Sequence, residues 1–288
     1  LLRSSQPLTG PNRRRCREDE KLLGTILDEG ERGFIIDTRS APAAKQARMG
    51  GGGTEPKSCY PQWRRLHRAL ERGRPLQESF SRLVEACSDP SPSMERWLGR
   101  LESSRWLGHV KAALSTACLA AQCLDREHSK VLVHGAEGTD TTLLVTALAQ
   151  LILDPSCRTM DGFLGLLERE WIQVRAALCH FGRVWKAFSR VPKMTPNGEK
   201  SLCPVPSCPP RSLCKVKENT HSLWAWLEQP EEKQKHLNPL YSHNPLVIWP
   251  SVEPQSIQLW QGLFLRWIRP CQQLEEAWEE MQRLVEGK

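Results

Sequence analysis

The sequence has only two tyrosines and five methionines, and no apolar run in it reaches the ~18 residues that a membrane span needs. Its longest apolar stretches, Ala112–Leu124 and Leu143–Leu153, fall short of that length, which excludes a helical membrane channel. Glycine lacks the every-third-residue period of collagen. One sign of charge has no large excess: 40 Lys+Arg stand against 33 Asp+Glu, a net +7. That surplus favours an anionic partner without choosing between lipid, nucleic acid and acidic protein. With 39% apolar residues and a mean hydropathy of −0.49, the 288 residues describe a polar globular chain of one or two domains, not a disordered tail.

No CxxC pair occurs, and the eleven cysteines are odd in number and dispersed, which argues against a disulfide framework. Cys203, Cys208 and Cys214 cluster, but their gaps and the neighbouring Pro204, Pro206, Pro209 and Pro210 read as a flexible linker rather than a zinc site. No metal and no cofactor is expected. The first residues, Leu1–Ser5, lack the apolar core of a signal peptide, so reduced thiols and a cytoplasmic location are expected. The chain starts on Leu rather than Met, as a piece of a longer polypeptide would.

Along the chain, residues 1–17 are polar and Arg-rich and read as a flexible lead-in. Glu18–Leu27 reads as a helix, Gly33–Asp37 as a short buried strand, and Ala41–Met49 as a helix running into Gly50–Gly53. Arg64–Arg74 reads as a basic surface helix. Gln77–Cys87 and Met94–Leu124 carry apolar residues at helical spacing, among them Trp97, Leu98, Leu101, Trp106, Leu107, Val110, Leu114 and Ala117, with Ser103 or Ser104 as a cap. Lys130–His134 is a β-branched run typical of a buried parallel strand. A small polar loop, Gly135–Asp140, leads into an apolar helix, Thr141–Leu153, that Asp154-Pro155 stops. Thr159–Gln173 reads as a further helix carrying Phe163, Leu167 and Trp171 at four-residue spacing. Strand, small-residue loop and helix together place backbone N–H groups around an anion, and also describe any ordinary βα turn. Residues 190–220 read as a linker or shortened insert. Residues 269–288 read as an acidic amphipathic helix with a stripe of Leu274, Trp278, Met281 and Val285.

The stretch Val131–Trp171, VLVHGAEGTDTTLLVTALAQLILDPSCRTMDGFLGLLEREW, resembles the signature region of the myotubularin phosphoinositide phosphatases. That family reads H-C-S-D-G-W-D-R-T, then T-x-L-A-x-L-x-L-D, Y-x-R-T-x-x-G-F and E-K-E-W. Glu18–Leu23, Ile36-Asp37-Thr38-Arg39-Ser40, the glycine run, Trp97…Leu107, Ser222-Leu223-Trp224, Asn238-Pro239-Leu240-Tyr241 and Leu259-Trp260…Arg266-Trp267 are similar to it too, in order. The resemblance implies an α/β fold of the cysteine-dependent, protein-tyrosine-phosphatase type, a central sheet flanked by helices, over residues 18–268. It also implies that the domain is incomplete, without the family's N-terminal membrane module and some internal helices.

The departures are chemical. The family's nucleophilic Cys falls at Gly135 and its phosphate-gripping Arg at Thr141; its Ser falls at Ala136 and its Trp at Thr139. A thiolate at a helix N-terminus attacks phosphorus and a planar guanidinium grips two oxygens, and neither Gly nor Thr does either. Gly138 and Asp140 match, Glu137 is a conservative exchange, and His134 reads as a packed residue or a protonating one. At ~5 Å and an effective dielectric of ~20, Glu137 and Asp140 would each oppose a phosphate charge by about 3 kcal/mol. A helix dipole offsets only ~1 kcal/mol of that, so the loop reads as an acidic pocket. Supporting positions differ as well: Ala47 and Gly50 stand for the family's Asn and Lys, Arg72-Gly73-Arg74 for its N-I-H, and Ile172–Leu178 for its basic arm.

The resemblance therefore implies the family's inactive branch, with no catalytic residues in the degenerate loop His134–Thr141. It implies active myotubularin-family phosphatases as hetero-oligomeric partners, peripheral contact with endomembranes through them, at most weak binding to phosphoinositide membranes, and no nucleic acid. Three other readings stand beside it: a module that captures a phosphoinositide without hydrolysing it, a poorly folded splice product, and a phosphatase using Cys157 or Cys179 as nucleophile.

Overall fold

The computed structural model describes residues 1–8, 15–49, 52–88, 93–172, 193–194, 200–201 and 229–264. Contacts divide the chain into two units, Leu1–Ile152 with Ile248–Lys288, and Leu153–Val247, where the sequence suggested one domain over 18–268.

The first unit is built on a four-stranded sheet of β1 (Leu2–Ser4), β2 (Gly33–Asp37), β3 (Trp63–His67) and β4 (Lys130–His134), in the order β1-β4-β2-β3. Every pairing is parallel, so each crossover returns through helix or loop. Alternation sorts the strand side chains by face. Ile36, Val131 and Val133 face a cluster with Ala120, Cys123, Val145 and Ala149, while Ile35 and Leu132 face Leu23, Leu27, Tyr60 and Trp63. Helices α1 (Arg17–Gly24), α2 (Ala41–Met49), α3 (Arg74–Cys87), α4 (Met94–Ser104), α5 (Trp106–Asp125) and α6 (Thr141–Leu153) flank the sheet. This is the α/β architecture, a parallel central sheet between helices, of a protein-tyrosine-phosphatase-like fold.

Two segments differ from the sequence reading. The lead-in is tied down at its start: Leu2–Ser4 pairs with Leu132–His134, and the Pro7 carbonyl accepts from Gly53 N–H at 3.1 Å. A three-residue edge strand is too short to leave an alternating pattern in sequence. Residues Arg64–His67 belong to a strand rather than a surface helix, and α3 starts only at Arg74. Paired with β2 from Gly33 to Asp37, β3 sends Arg65 inward to ion-pair instead of outward to water.

The apolar run 94–124 is broken at Arg105, which adopts a left-handed φ of 59°. Ser93 caps α4 by accepting from Arg96 N–H, and Ser104 accepts from Trp106 N–H at 3.2 Å where α5 begins. Leu98, expected inward, is exposed. Small residues Ala113, Ala117, Ala120 and Ala121 bring α5 close against the core. Helix α6 is buried nearly all round, at Leu143, Val145, Thr146, Ala147, Ala149 and Ile152.

In the second unit, Asp154 accepts from Ser156 N–H and opens a tight turn, Pro155–Arg158. Thr159 then caps α7 (Met160–Leu167), which ends in a wide turn over Glu168–Ile172. Leu166 is its buried residue, and Phe163 is exposed. A two-residue ladder, Lys193–Met194 with Lys200–Ser201, and the short α8 (Pro230–Lys235) complete it. Among the described residues, no helix is long and apolar enough to cross a membrane.

Candidate functional site

Strand β4 ends at His134, and the loop Gly135–Asp140 turns the chain into α6, whose first residue is Thr141. All eight loop positions singled out by the sequence are thus contiguous at the carboxyl edge of a parallel sheet, where α/β folds bind ligands. Gly135 has no side chain, and the space beside it is already lined. A β-carbon there would lie 3.1 Å from Thr38 Oγ1, 3.2 Å from Thr142 Cγ2 and 3.4 Å from Thr141 Oγ1. The Thr38 hydroxyl donates to the His134 carbonyl at 3.0 Å and lies 2.8 Å from the Thr141 hydroxyl in a second bond. Two neutral hydroxyls therefore bond to each other across the base of the loop.

Gly138 answers to a separate constraint. Its φ is +73°, and a β-carbon would come within 2.6 Å of the Ser4 carbonyl oxygen. The Arg3 guanidinium donates to the Gly138 carbonyl at 2.8 Å, so β1 packs directly on the loop. Around it, Ala136, Thr139 and Asp140 are half-buried and Glu137 is exposed.

Beneath the loop lies a buried charge cluster that the sequence reading missed. Arg39 donates from Nε to Asp37 Oδ1 at 3.0 Å, from Nη2 to Asp37 Oδ2 at 2.8 Å and to the Gly53 carbonyl at 2.8 Å, and from Nη1 to Gln6 at 3.1 Å. Arg65 adds a bond to Asp37 Oδ2 at 2.5 Å and lies 3.8 Å from Glu55. Fully buried His134 sits between the two carboxylates, Nε2 at 3.1 Å from Glu55 Oε1 and Nδ1 at 3.9 Å from Asp37 Oδ1, neither aligned as a hydrogen bond. Two arginines balance two carboxylates. The only sequence signal was the Asp-x-Arg spacing of Asp37 and Arg39 just past a buried strand.

Burial by itself would raise the Asp37 pKa, but the hydrogen bonds from Arg39, the facing His134 and the Arg65 bond together hold it well below the ordinary carboxylate range. A carboxylate depressed in the folded state stabilises the fold fully above its unfolded pKa of ~3.9, and that stabilisation fades as pH falls through and below that value. The melting temperature is accordingly expected to hold between pH 7 and 5 with respect to this group and to drop below about pH 4. Calorimetry across that range checks it, and a flat profile down to pH 3 would remove the cluster from the account.

The electrostatics of the loop itself differ from the sequence reading. Arg72, between β3 and α3, reaches the loop with Nη1 at 2.9 Å from Asp140 Oδ2 and Nη2 at 3.7 Å from Glu137 Oε1. The two carboxylates are not a bare acidic pocket. A guanidinium from elsewhere in the chain pairs with both, a contact across 68 positions that spacing does not reveal.

Cys157 lies in the second unit, in the tight turn Pro155–Arg158, which is not a phosphate-cradling loop. Burial first, and then its hydrogen bond to Asp154 at 3.5 Å, push its thiol pKa up, the reverse of an activated nucleophile. Cys179, the cluster Cys203, Cys208 and Cys214, Gly50, most of the arm position Ile172–Leu178, most of 190–220, Trp224 and the helix expected in 269–288 lie outside the described residues.

Residues 1–192 match the family described as "Myotubularin-like phosphatase domain". The chain belongs to the myotubularin family. Myotubularin-related protein 9-like of Bos taurus is 54% identical over 324 aligned residues, covering 99% of this chain and 60% of the relative. Myotubularin-related protein 9 of Homo sapiens is 45% identical over 331, covering 99% and 59%. A phosphatidylinositol-3,5-bisphosphate 3-phosphatase of Gallus gallus is 32% identical over 304, covering 92% and 48%. This myotubularin chain thus spans about 60% of the length of the first two relatives. Both alignments run longer than its 288 residues, so those relatives carry internal residues that it omits.

Proposed function

We propose that this myotubularin chain is a pseudophosphatase that acts through protein contacts. The observation that carries this reading is Gly135: the nucleophile's position has no side chain, and the Thr38–Thr141 hydroxyl pair lies where a thiolate and a loop guanidinium would work. Backbone amides alone hold no phosphorus at an attacking atom. Without a nucleophile, the carboxyl of Asp140 has no leaving group to protonate.

Within the inactive branch the motifs taken alone point to myotubularin-related protein 11. The aligned relatives bear the names myotubularin-related protein 9 and 9-like, and the reading takes its likeness from them. The scaffold that remains, with its parallel sheet, buried charge cluster and packed helices, suits an adaptor that binds active 3-phosphatases of the family in the cytoplasm and reaches endomembranes through them. Co-precipitation with active myotubularins tests this, and failure to associate with any of them would sink it.

Restoring Gly135→Cys and Thr141→Arg together is expected to leave phosphate release from phosphatidylinositol 3-phosphate at least about 10²-fold below an active relative, the scale set by losing one oriented donor group. The new thiol would crowd Thr38 and Thr142, and Ala47 and Arg72 still depart from the family pattern. Near-family turnover in that double variant would show that these secondary positions are dispensable.

A further inference from the structure

We propose that Arg72 is an internal latch on the degenerate loop: its guanidinium bridges Asp140 and Glu137, and the bridge keeps phosphate groups out of the loop. This rests on the reading above, in which the loop takes no substrate.

The geometry is that of one fork on two carboxylates, 2.9 Å and 3.7 Å away, contributed by a segment far from the loop in sequence. Arg72 and the two carboxylates it pairs with sum to −1, and the other guanidinium at the loop, Arg3, is held on the Gly138 carbonyl. The loop behind this trio keeps parts of an anion cradle: Gly135 and Gly138 without side chains and the first turn of the thirteen-residue α6, while the Thr38 and Thr141 hydroxyls are taken up by the His134 carbonyl and by each other. What the family gains from an arginine at the head of that helix is here presented from outside and consumed by the carboxylates. Glu137 and Arg72 are exposed and Asp140 keeps 13% of its side chain accessible, so isosteric neutral amides replace the two carboxylates while Arg72 stays in contact with water.

Neutralising both carboxylates turns this trio from −1 to +1 with Arg72 still in place. In the full chain, Glu137→Gln with Asp140→Asn is expected to tighten binding of inorganic phosphate, followed by phosphorus NMR titration, at least about fivefold over wild type. Adding Arg72→Ala to that pair is expected to abolish the gain. A second arm uses phosphatidylcholine vesicles with and without phosphatidylinositol 3-phosphate. A gain in both arms assigns the phosphate group as the ligand, and a gain with vesicles alone assigns the lipid headgroup; either supports the latch. No gain in either arm, with an unchanged thermal melt, overturns it, as does a gain that survives Arg72→Ala. If the pair melts lower, Asp140→Asn alone, which breaks the 2.9 Å contact, carries the same test with a twofold threshold. The two readings fail separately: phosphate release by the wild-type chain overturns the pseudophosphatase, whereas absence of any gain overturns only the latch.

Discussion

Replacing Arg39 by alanine is expected to lower the unfolding free energy by about 3–5 kcal/mol, the cost of stripping a partner from a buried ion pair. Arg39 is 4% exposed and Asp37 wholly buried, so no water takes over the lost bonds. The guanidinium satisfies both oxygens of Asp37, the Gly53 carbonyl and Gln6 at once. Its removal leaves Asp37 with Arg65 and its own backbone contacts, beside an unbalanced Glu55 and His134. Arg39→Lys keeps the charge but not the planar fork, and an intermediate loss is expected. Urea denaturation of the three proteins checks the order. A loss below about 1 kcal/mol for Arg39→Ala would mean that the cluster is solvated and that its role beneath the loop is overstated. Since Arg39 also holds Gln6 and Gly53, the same variant is expected to loosen the N-terminal segment against the loop, seen as faster amide exchange at Gly53.

Trp63→Ala is expected to cost a similar ~3–5 kcal/mol, as large-to-small changes at buried aromatic residues do. The indole is 6% exposed and donates from Nε1 to the Leu23 carbonyl at 3.2 Å, pinning α1 to the sheet. Its cluster includes Leu23, Leu27, Ile35, Tyr60 and Leu132, so truncation opens a cavity and orphans a carbonyl together. The ring also explains Gly33, its register partner on β2: a β-carbon there would fall 2.5 Å from the indole. Gly33→Ala in the wild-type background is therefore expected to destabilise, and in the Trp63→Ala background to be tolerated. A double-mutant cycle measures that coupling. Additive losses would deny the contact.

Strands β2 and β4 were legible as short apolar runs, and helices α5 and α6 as apolar residues at helical spacing. Strand β3 was not. Trp63-Arg64-Arg65-Leu66-His67 carries basic residues that look solvated until Asp37 and Glu55 are seen to face Arg65. The lead-in strand was missed for a related reason, since three residues against β4 gain their order from a partner more than a hundred positions away. At the site, the loop could be read residue by residue, because the family motif it resembles is contiguous. Glu55, Arg65 and Arg72 could not, because each joins the site across a chain reversal that leaves no spacing to detect.

The net +7 charge illustrates the division. Sequence alone determined that the chain is polar, that it carries motifs similar to the myotubularin ones in order, and that Gly135 and Thr141 stand in the loop at the positions the proposal takes for the two chemical ones. These depend only on which residue follows which. Where the charges act was decided by tertiary structure: Arg39 and Arg65 are spent on a buried carboxylate, and Arg72 on the two acids of the loop. Coulomb energy depends on distance and on the surrounding dielectric, and both are set by the fold rather than by the order of residues.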